Sequence, residues 1–369
     1  MIALGALALA IWAALIASGF WTTRECDARA RCTAPALWPK VCAVVPARDE
    51  ADVITASLSS LLAQDYPGEF RIILVDDDSR DGTGALARGL GDARLTVLGG
   101  APLPPGWTGK LWALDQGIAA AGTPDFLWLT DADIAHAPDT LRRLVGIAHA
   151  GNARLVSFMA LLSCTRPAEK LLVPAFIYFF KLVYPFGFIN RPGRFAGAAG
   201  GCVLVERAAL DHAGGIGAMR GALIDDCTLG ARIKTQGPIW LGLTRRSRSL
   251  RPYQGAGEIG AMIARSAYAQ LRFQPLLLAG TILGLALVFG VPLWLILFGQ
   301  GLAQALGGGA FSLMLLSWQP VLAWYRRSPL LALALPLVAA FYAGCTLASA
   351  LAWYRGRGGM WKGRAQAAT

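Results

Sequence analysis

Between residues 41 and 148, short apolar runs alternate with stretches of helical spacing. The runs at 41–46, 70–75, 95–98 and 126–130 are too short for helices, which predicts buried strands. The stretches at 51–64, 81–90, 109–121 and 138–148 carry apolar residues at helical intervals, as Val53, Ile54, Leu58, Leu61 and Leu62 do in the first of them. Strand and helix in alternation predict an α/β domain with a mainly parallel sheet covered by helices on both faces. In such sheets ligands bind beyond the carboxyl ends of the strands.

Longer uncharged stretches flank this region. Residues 2–21 are long enough to cross a bilayer as one helix. No basic residue precedes them, whereas Arg24, Arg29 and Arg31 follow. That favours a retained anchor over a cleaved signal and keeps the next domain in the cytoplasm. Residues 276–299 and 329–354 are two further clean spans. Between them, 301–325 is uncharged but holds Gln304, Gln319, Pro320 and three glycines from Gly307. It reads either as a span or as a segment that enters and returns. A further apolar stretch, 171–189, carries Lys181, Pro174 and Pro185 among many aromatics. It reads as lying at the membrane interface or in the domain core, since a crossing there would separate the acidic motifs before and after it. Residues 256–273 are expected to form an amphipathic helix, with Ile259, Met262, Ile263 and Leu271 opposite Arg265 and Arg272. The expected organisation is an N-terminal anchor at 1–22, an α/β domain at 40–250, an interfacial segment at 251–275, a membrane region of two or three spans at 276–354 and a basic tail at 355–369.

Composition agrees with this division. Of 369 residues, 55% are hydrophobic and 15% charged, which excludes a disordered chain and argues against an ordinary soluble globule. Every acid lies between Glu25 and Glu258. From 22 to 275 there are 28 basic and 23 acidic residues; from 276 onward there are six basic residues and no acid. The basic excess is dispersed, which fits a face against anionic lipid and predicts no nucleic-acid partner. Seven scattered cysteines without a CxxC pair predict a reducing compartment and no structural zinc.

The chemistry-bearing residues cluster at predicted strand ends. The first strand runs into PARDE (46–50), the second into DDDSRDGT (76–83) and the fourth into TDAD (130–133). Carboxylates crowded into one crevice repel one another unless a cation or donor compensates them. Asp131 and Asp133 have the spacing and donor chemistry that suit Mg²⁺ or Mn²⁺ beside substrate phosphates. Taken alone, TDAD also reads as a helix N-cap, and Asp81-Gly82-Thr83 as a turn and cap. Gly109-Lys110 opens a helix, and a helix start with a lysine suits a pyrophosphate. Asp139, three residues after His136, belongs to a helix start.

VVPARDE, ILVDDDSRDGT, TGKLWALDQG and WLTDADI together resemble the nucleotide-sugar domain of the family 2 inverting glycosyltransferases, which have the GT-A fold. PLPPGWTGKLWAL, GALIDDC and PIWLGLTRR are most similar to the bacterial hopene-associated members. The resemblance implies that Asp49 and Asp77 contact uridine, and that Gly200 and Gly201 lie in the segment that lets backbone approach the sugar and acceptor. It implies that Asp131 and Asp133 hold the metal, and that Asp226, beside Asp225, is the general base. Asp115 stands where many members have asparagine. The family's Q-x-x-R-W signature is absent as such; the stretch RSAYAQLRF offers Tyr268, Gln270 and Arg272 on the acceptor side.

The function implied is transfer of a sugar from a UDP-sugar to a lipid hydroxyl, a hopanoid by resemblance, at the bacterial inner membrane by a multi-pass protein with its catalytic domain in the cytoplasm. A ceramide-like or polyprenyl-phosphate acceptor would use the same motifs. A processive polysaccharide synthase would call for more spans and a clear Q-x-x-R-W segment. A catalytically inactive membrane scaffold would not need acids in every one of these roles.

Overall fold

The computed structural model describes residues 1–356, 360–361 and 364–365. Most of the basic tail, from Arg357 on, lies outside the described residues.

In chain order the first elements are α1 (Ile2–Ser18), β1 (Val41–Ala47), α2 (Ile54–Leu62), β2 (Phe70–Asp76), α3 (Thr83–Arg88), β3 (Leu95–Gly99), α4 (Gly109–Ala120), β4 (Phe126–Thr130), β5 (Ile134–His136) and α5 (Thr140–Gly151). Then come β6 (Leu155–Leu161), α6 (Pro167–Val183), α7 (Phe186–Ile189), β7 (Cys202–Glu206), α8 (Arg207–His212), α9 (Asp225–Lys234) and β8 (Ile239–Ser249). The last helices are α10 (Ala256–Ala264), α11 (Ala267–Gln270), α12 (Pro275–Leu285), α13 (Val291–Phe298), α14 (Leu302–Trp324) and α15 (Leu335–Tyr354). The chain divides into two compact units, one built on the sheet (24–163 and 188–252) and one built on apolar helices (1–23, 164–187 and 253–356, among the described residues).

The sheet unit carries eight strands in the order β3-β2-β1-β4-β7-β6-β8-β5. β3, β2, β1 and β4 run parallel, as the strand–helix alternation requires. β7 is reversed: it pairs antiparallel with β4 on one side and β6 on the other, with Thr130 opposite Cys202. The start of β7 therefore lies at the same rim as the carboxyl end of β4. β1 is buried along its whole length, as a central strand covered on both faces must be. α4 lies very close to the sheet at Gly117, where an added Cβ would stand 2.4 Å from Val44 Cγ1. That closeness sets where the start of α4, with Lys110, meets the strand ends.

In the helical unit, Pro275–Phe298, Leu302–Trp324 and Pro329–Tyr354 are long and apolar enough to cross a membrane, and α1 is a shorter apolar helix. The segment with Gln304, Gln319 and the glycine run is one continuous helix, α14. Small residues let these helices approach. An added Cβ at Gly5 would stand 3.0 Å from Leu306 Cβ, and one at Gly307 would stand 2.5 Å from Leu295 Cβ. α6, which overlaps the aromatic stretch, packs among these helices. The Tyr178 and Ser317 hydroxyls are 2.8 Å apart, Tyr342 donates to the Leu172 carbonyl, and Trp21 stacks on Tyr178 at 4.5 Å. Lys181 is buried, donates to the Thr22 carbonyl and lies 4.2 Å over the Phe186 ring. The helix expected over 256–273 is broken. α10 ends at Ala264, α11 is one turn long, and Arg272 and Phe273 take positive φ. The Tyr268 hydroxyl donates to the Phe273 carbonyl and ties down this reversal.

Candidate active site

The carboxyl ends of β1 and β2 interlock through their backbones. Asp49 and Asp78 adopt left-handed conformations (φ 51 and 55), which a short acidic side chain tolerates better than most. The Asp49 amide donates to Ser79 Oγ, the Arg80 amide donates to Asp49 Oδ1, and the Glu50 amide donates to Thr83 Oγ1. Arg48 donates to the Asp77 carbonyl at 2.5 Å and lies 3.5 Å from its carboxylate. So Asp49 and Asp77, expected to contact the nucleoside, sit together at adjoining strand ends, with Asp77 buried.

The next strand end brings in residues from three distant segments. Lys110, in the first turn of α4, places Nζ 2.8 Å from Asp131 Oδ1 and 3.1 Å from Asp225 Oδ2. Asp225 and Asp226 open α9, where the helix dipole favours negative charge. Asp226 accepts hydrogen bonds from the Gly200 amide (2.8 Å) and the Cys227 amide (2.7 Å). A Cβ at Gly200 would come within 3.3 Å of Lys110 Nζ and 3.4 Å of Asp226. A bare backbone is thus what lets the cation and the acid approach there. One cleft is lined by Lys110, Asp131, Gly200, Asp225 and Asp226, with an apolar wall that includes Leu111, Ile216, Met219 and Leu229.

The electrostatics follow from this crowding. Burial, then the charge of Asp225, pushes the Asp226 carboxyl up to about 6, against the pull of Lys110. Burial works against the charge of Lys110, but Asp131, Asp225 and Asp226 outweigh it and raise its pKa above the ordinary lysine value. Burial, then the charges of Asp131 and Glu50, pushes Asp133 up to about 6, with Arg251 opposing. Burial alone raises Asp115.

Behind the TDAD turn, Thr130 Oγ1 donates to the Gly201 carbonyl and lies 2.9 Å from His136 Nε2, whose Nδ1 is 2.9 Å from Ser247 Oγ. Burial lowers the His136 pKa to about 3, so this ring is a neutral structural brace. Asp139 stands at the α5 N-cap, but its carboxylate pairs with Arg246 at 2.9 Å.

Asp131 and Asp133 offer only carboxylate oxygens, hard donors of the kind Mg²⁺ and Mn²⁺ take. Among the described residues, no three His, Cys, Asp or Glu side chains form a closed metal cage.

Some participants carried no sequence signal of their role. Glu50 lies inside PARDE, but its partner Arg251 is 201 positions away. Arg251 also reaches Asp52 at 3.2 Å. The remaining residues expected at the site belong to the helical unit. Tyr268 is buried and its hydroxyl is 2.9 Å from that of Tyr354. Gln270 accepts from Tyr184 at 2.7 Å, and Arg272 sits in the reversal after α11.

Residues 42–214 match the Glycosyl transferase family 2. Among solved structures, a mannosyltransferase from Pyrobaculum calidifontis, in complex with GDP-Man and Mn²⁺, is similar over 97% of this chain and 99% of its own, at 21% identity and TM-score 0.57. Glucosyl-3-phosphoglycerate synthase from Mycobacterium tuberculosis, in complex with Mn²⁺ and uridine-diphosphate-glucose, matches over 63% of this chain and 79% of its own, at 21% identity and TM-score 0.40. Mannosyl-3-phosphoglycerate synthase from Rubrobacter xylanophilus matches over 64% and 77%, at 18% identity and TM-score 0.39. No curated protein matches by sequence. The mixed sheet with its acidic strand ends has the GT-A fold, and the match to the Glycosyl transferase family 2 covers the part of the chain that carries β1 to β4 and β7.

Proposed function

We propose that the protein is a membrane-bound inverting glycosyltransferase that moves a sugar from a UDP-sugar to the hydroxyl of a membrane lipid, a hopanoid in the reading the motifs support best. The observation that carries this is the cleft where Asp131 and Lys110 meet Asp225 and Asp226. Asp226 takes the acceptor proton as the hydroxyl oxygen bonds to the anomeric carbon, and the bond from that carbon to the diphosphate oxygen breaks on the opposite face. Its raised pKa makes it a stronger base than an ordinary aspartate while leaving it ionised at neutral pH. A phosphate acceptor is already ionised and needs no base, so a buried aspartate favours a hydroxyl acceptor over a polyprenyl phosphate. Lys110 holds positive charge where the leaving diphosphate develops its own. A divalent cation on Asp131 and Asp133 would add Lewis-acid stabilisation of that same charge. Three long apolar helices support a lipid acceptor, because anchoring confines enzyme and acceptor to one surface. Arg24, Arg29 and Arg31 after α1 support a cytoplasmic active site.

The test is to incubate the purified full chain with Mn²⁺, total bacterial lipid extract and a panel of UDP-sugars, with GDP-mannose alongside, and search for new glycolipids by mass spectrometry. A UDP-dependent glycolipid with inverted anomeric configuration is expected. Transfer only from GDP-mannose would replace the donor, and a glycosyl phosphate product would replace the acceptor. Absence of any transfer, with no nucleotide binding, would favour a scaffold.

A further inference from the structure

The structure gives Lys110 a second task, which rests on the donor and metal reading above. We infer that Lys110 is the resident counter-cation of Asp131 and Asp225: its ammonium competes with a divalent metal for Asp131, and moves off when a nucleoside diphosphate arrives with the metal.

The geometry leads there directly. Nζ is 2.8 Å from Asp131 Oδ1 and 3.1 Å from Asp225 Oδ2, so one ammonium bridges an acid of the TDAD turn and an acid at the start of α9. Gly200 closes the space behind it, since even a Cβ there would stand 3.3 Å from Nζ. A metal ion held by Asp131 would share that carboxylate with a positive charge at hydrogen-bond distance, and two cations on one carboxylate repel each other. Without Lys110, though, Asp131, Asp225 and Asp226 would crowd one cleft with no compensating charge. Lysine suits the exchange because its charge is a compact point on a flexible stem. It rises from the first turn of α4, where backbone amides also favour an anion. A diphosphate gives the ammonium a new partner, and the vacated carboxylate oxygen then accepts the metal. The acids are thus never bare, metal alone binds weakly, and metal and nucleotide bind together. Linkage requires the same factor in both directions: whatever UDP adds to Mn²⁺ affinity, Mn²⁺ adds to UDP affinity.

The experiment follows Mn²⁺ by the EPR signal of the free ion, using the full chain in detergent at neutral pH, with and without UDP. The wild type is expected to bind Mn²⁺ alone weakly and to bind it about tenfold more tightly, or better, with UDP. In Lys110→Met, Mn²⁺ alone should bind about tenfold more tightly than in wild type, and the UDP effect should shrink by a similar factor. Lys110→Arg, which keeps the charge, should retain the wild-type pattern. Lys110→Gln is read like the methionine variant should that one fail to fold. The inference is overturned if UDP promotes Mn²⁺ uptake in wild type while the uncharged variants bind Mn²⁺ alone no more tightly than wild type does. If the wild type takes up no Mn²⁺ even with UDP, the metal-dependent reading of the site fails and the inference falls with it.

Discussion

As the proposed general base, Asp226 has two conflicting requirements to meet. It must be buried enough to hold a proton more strongly than a surface aspartate, and ionised enough to accept one. Burial and the Asp225 charge supply the first, and Lys110 with two backbone amides supplies the second. Asp226→Asn is expected to lower transfer by about 10³-fold while UDP affinity, by calorimetry, stays near wild type. The pH profile of kcat/KM should lose activity as pH falls through about 6, where Asp226 becomes protonated. Asp225→Asn removes a raising charge, so that limb should move to lower pH. A profile flat from pH 5 to 8 in wild type would exclude Asp226 as the base. Asp133→Ala should weaken Mn²⁺-dependent UDP binding, and unchanged Mn²⁺ dependence would contradict its metal role. At this scale the sequence was informative wherever a motif is local. Lys110, Asp131, Asp225 and Asp226, which meet in one cleft, could be singled out because their neighbours in the chain carry the pattern, while the role of each belongs to the proposal. The Glu50–Arg251 pair was not legible, because only the folded sheet brings together residues 201 positions apart.

Among the elements, the first four strands were legible to within a residue at either end, since a buried parallel strand is a continuous apolar run bounded by turns. The direction of β7 was not, because CVLVE reads alike either way. Nor was the reversal after α11, where the Tyr268 hydroxyl captures the Phe273 carbonyl. Two predictions belong to this scale. Gly117→Ala forces a methyl to within 2.4 Å of Val44 on β1 and should cost about 1–3 kcal/mol in chemical denaturation, with activity falling as α4 shifts Lys110. His136 has its folded pKa held below its unfolded value by burial. The unfolded chain therefore binds the extra proton, and the stability due to this ring is complete above about 6.5 and is lost as pH falls toward about 3. His136→Phe should flatten that part of the Tm–pH curve relative to wild type while giving up the bonds to Thr130 and Ser247.

For the whole molecule, the long apolar stretches made the helical unit visible from composition alone, whereas the placement of α6 within it depends on side-chain pairing such as Tyr178 with Ser317. The continuity of α14 favours three crossings after the α/β domain. If the chain enters α12 from the cytoplasm, three crossings carry it out again after α15, so a C-terminal alkaline phosphatase fusion should be active and a C-terminal GFP fusion dark. The opposite pair of results would mean that α14 does not cross. The reversed strand β7 also divides its two flanking connections by consequence. Residues 190–201 feed the rim where Asp131 and Asp226 lie, so length changes and randomised libraries there should retune which donor or acceptor is accepted. The junction at Glu206–Arg207 lies at the opposite rim and is tied down by Arg154 on Glu206 and by Arg207 on the Ile118 and Gly122 carbonyls, so substitutions there should lower stability and leave substrate choice untouched.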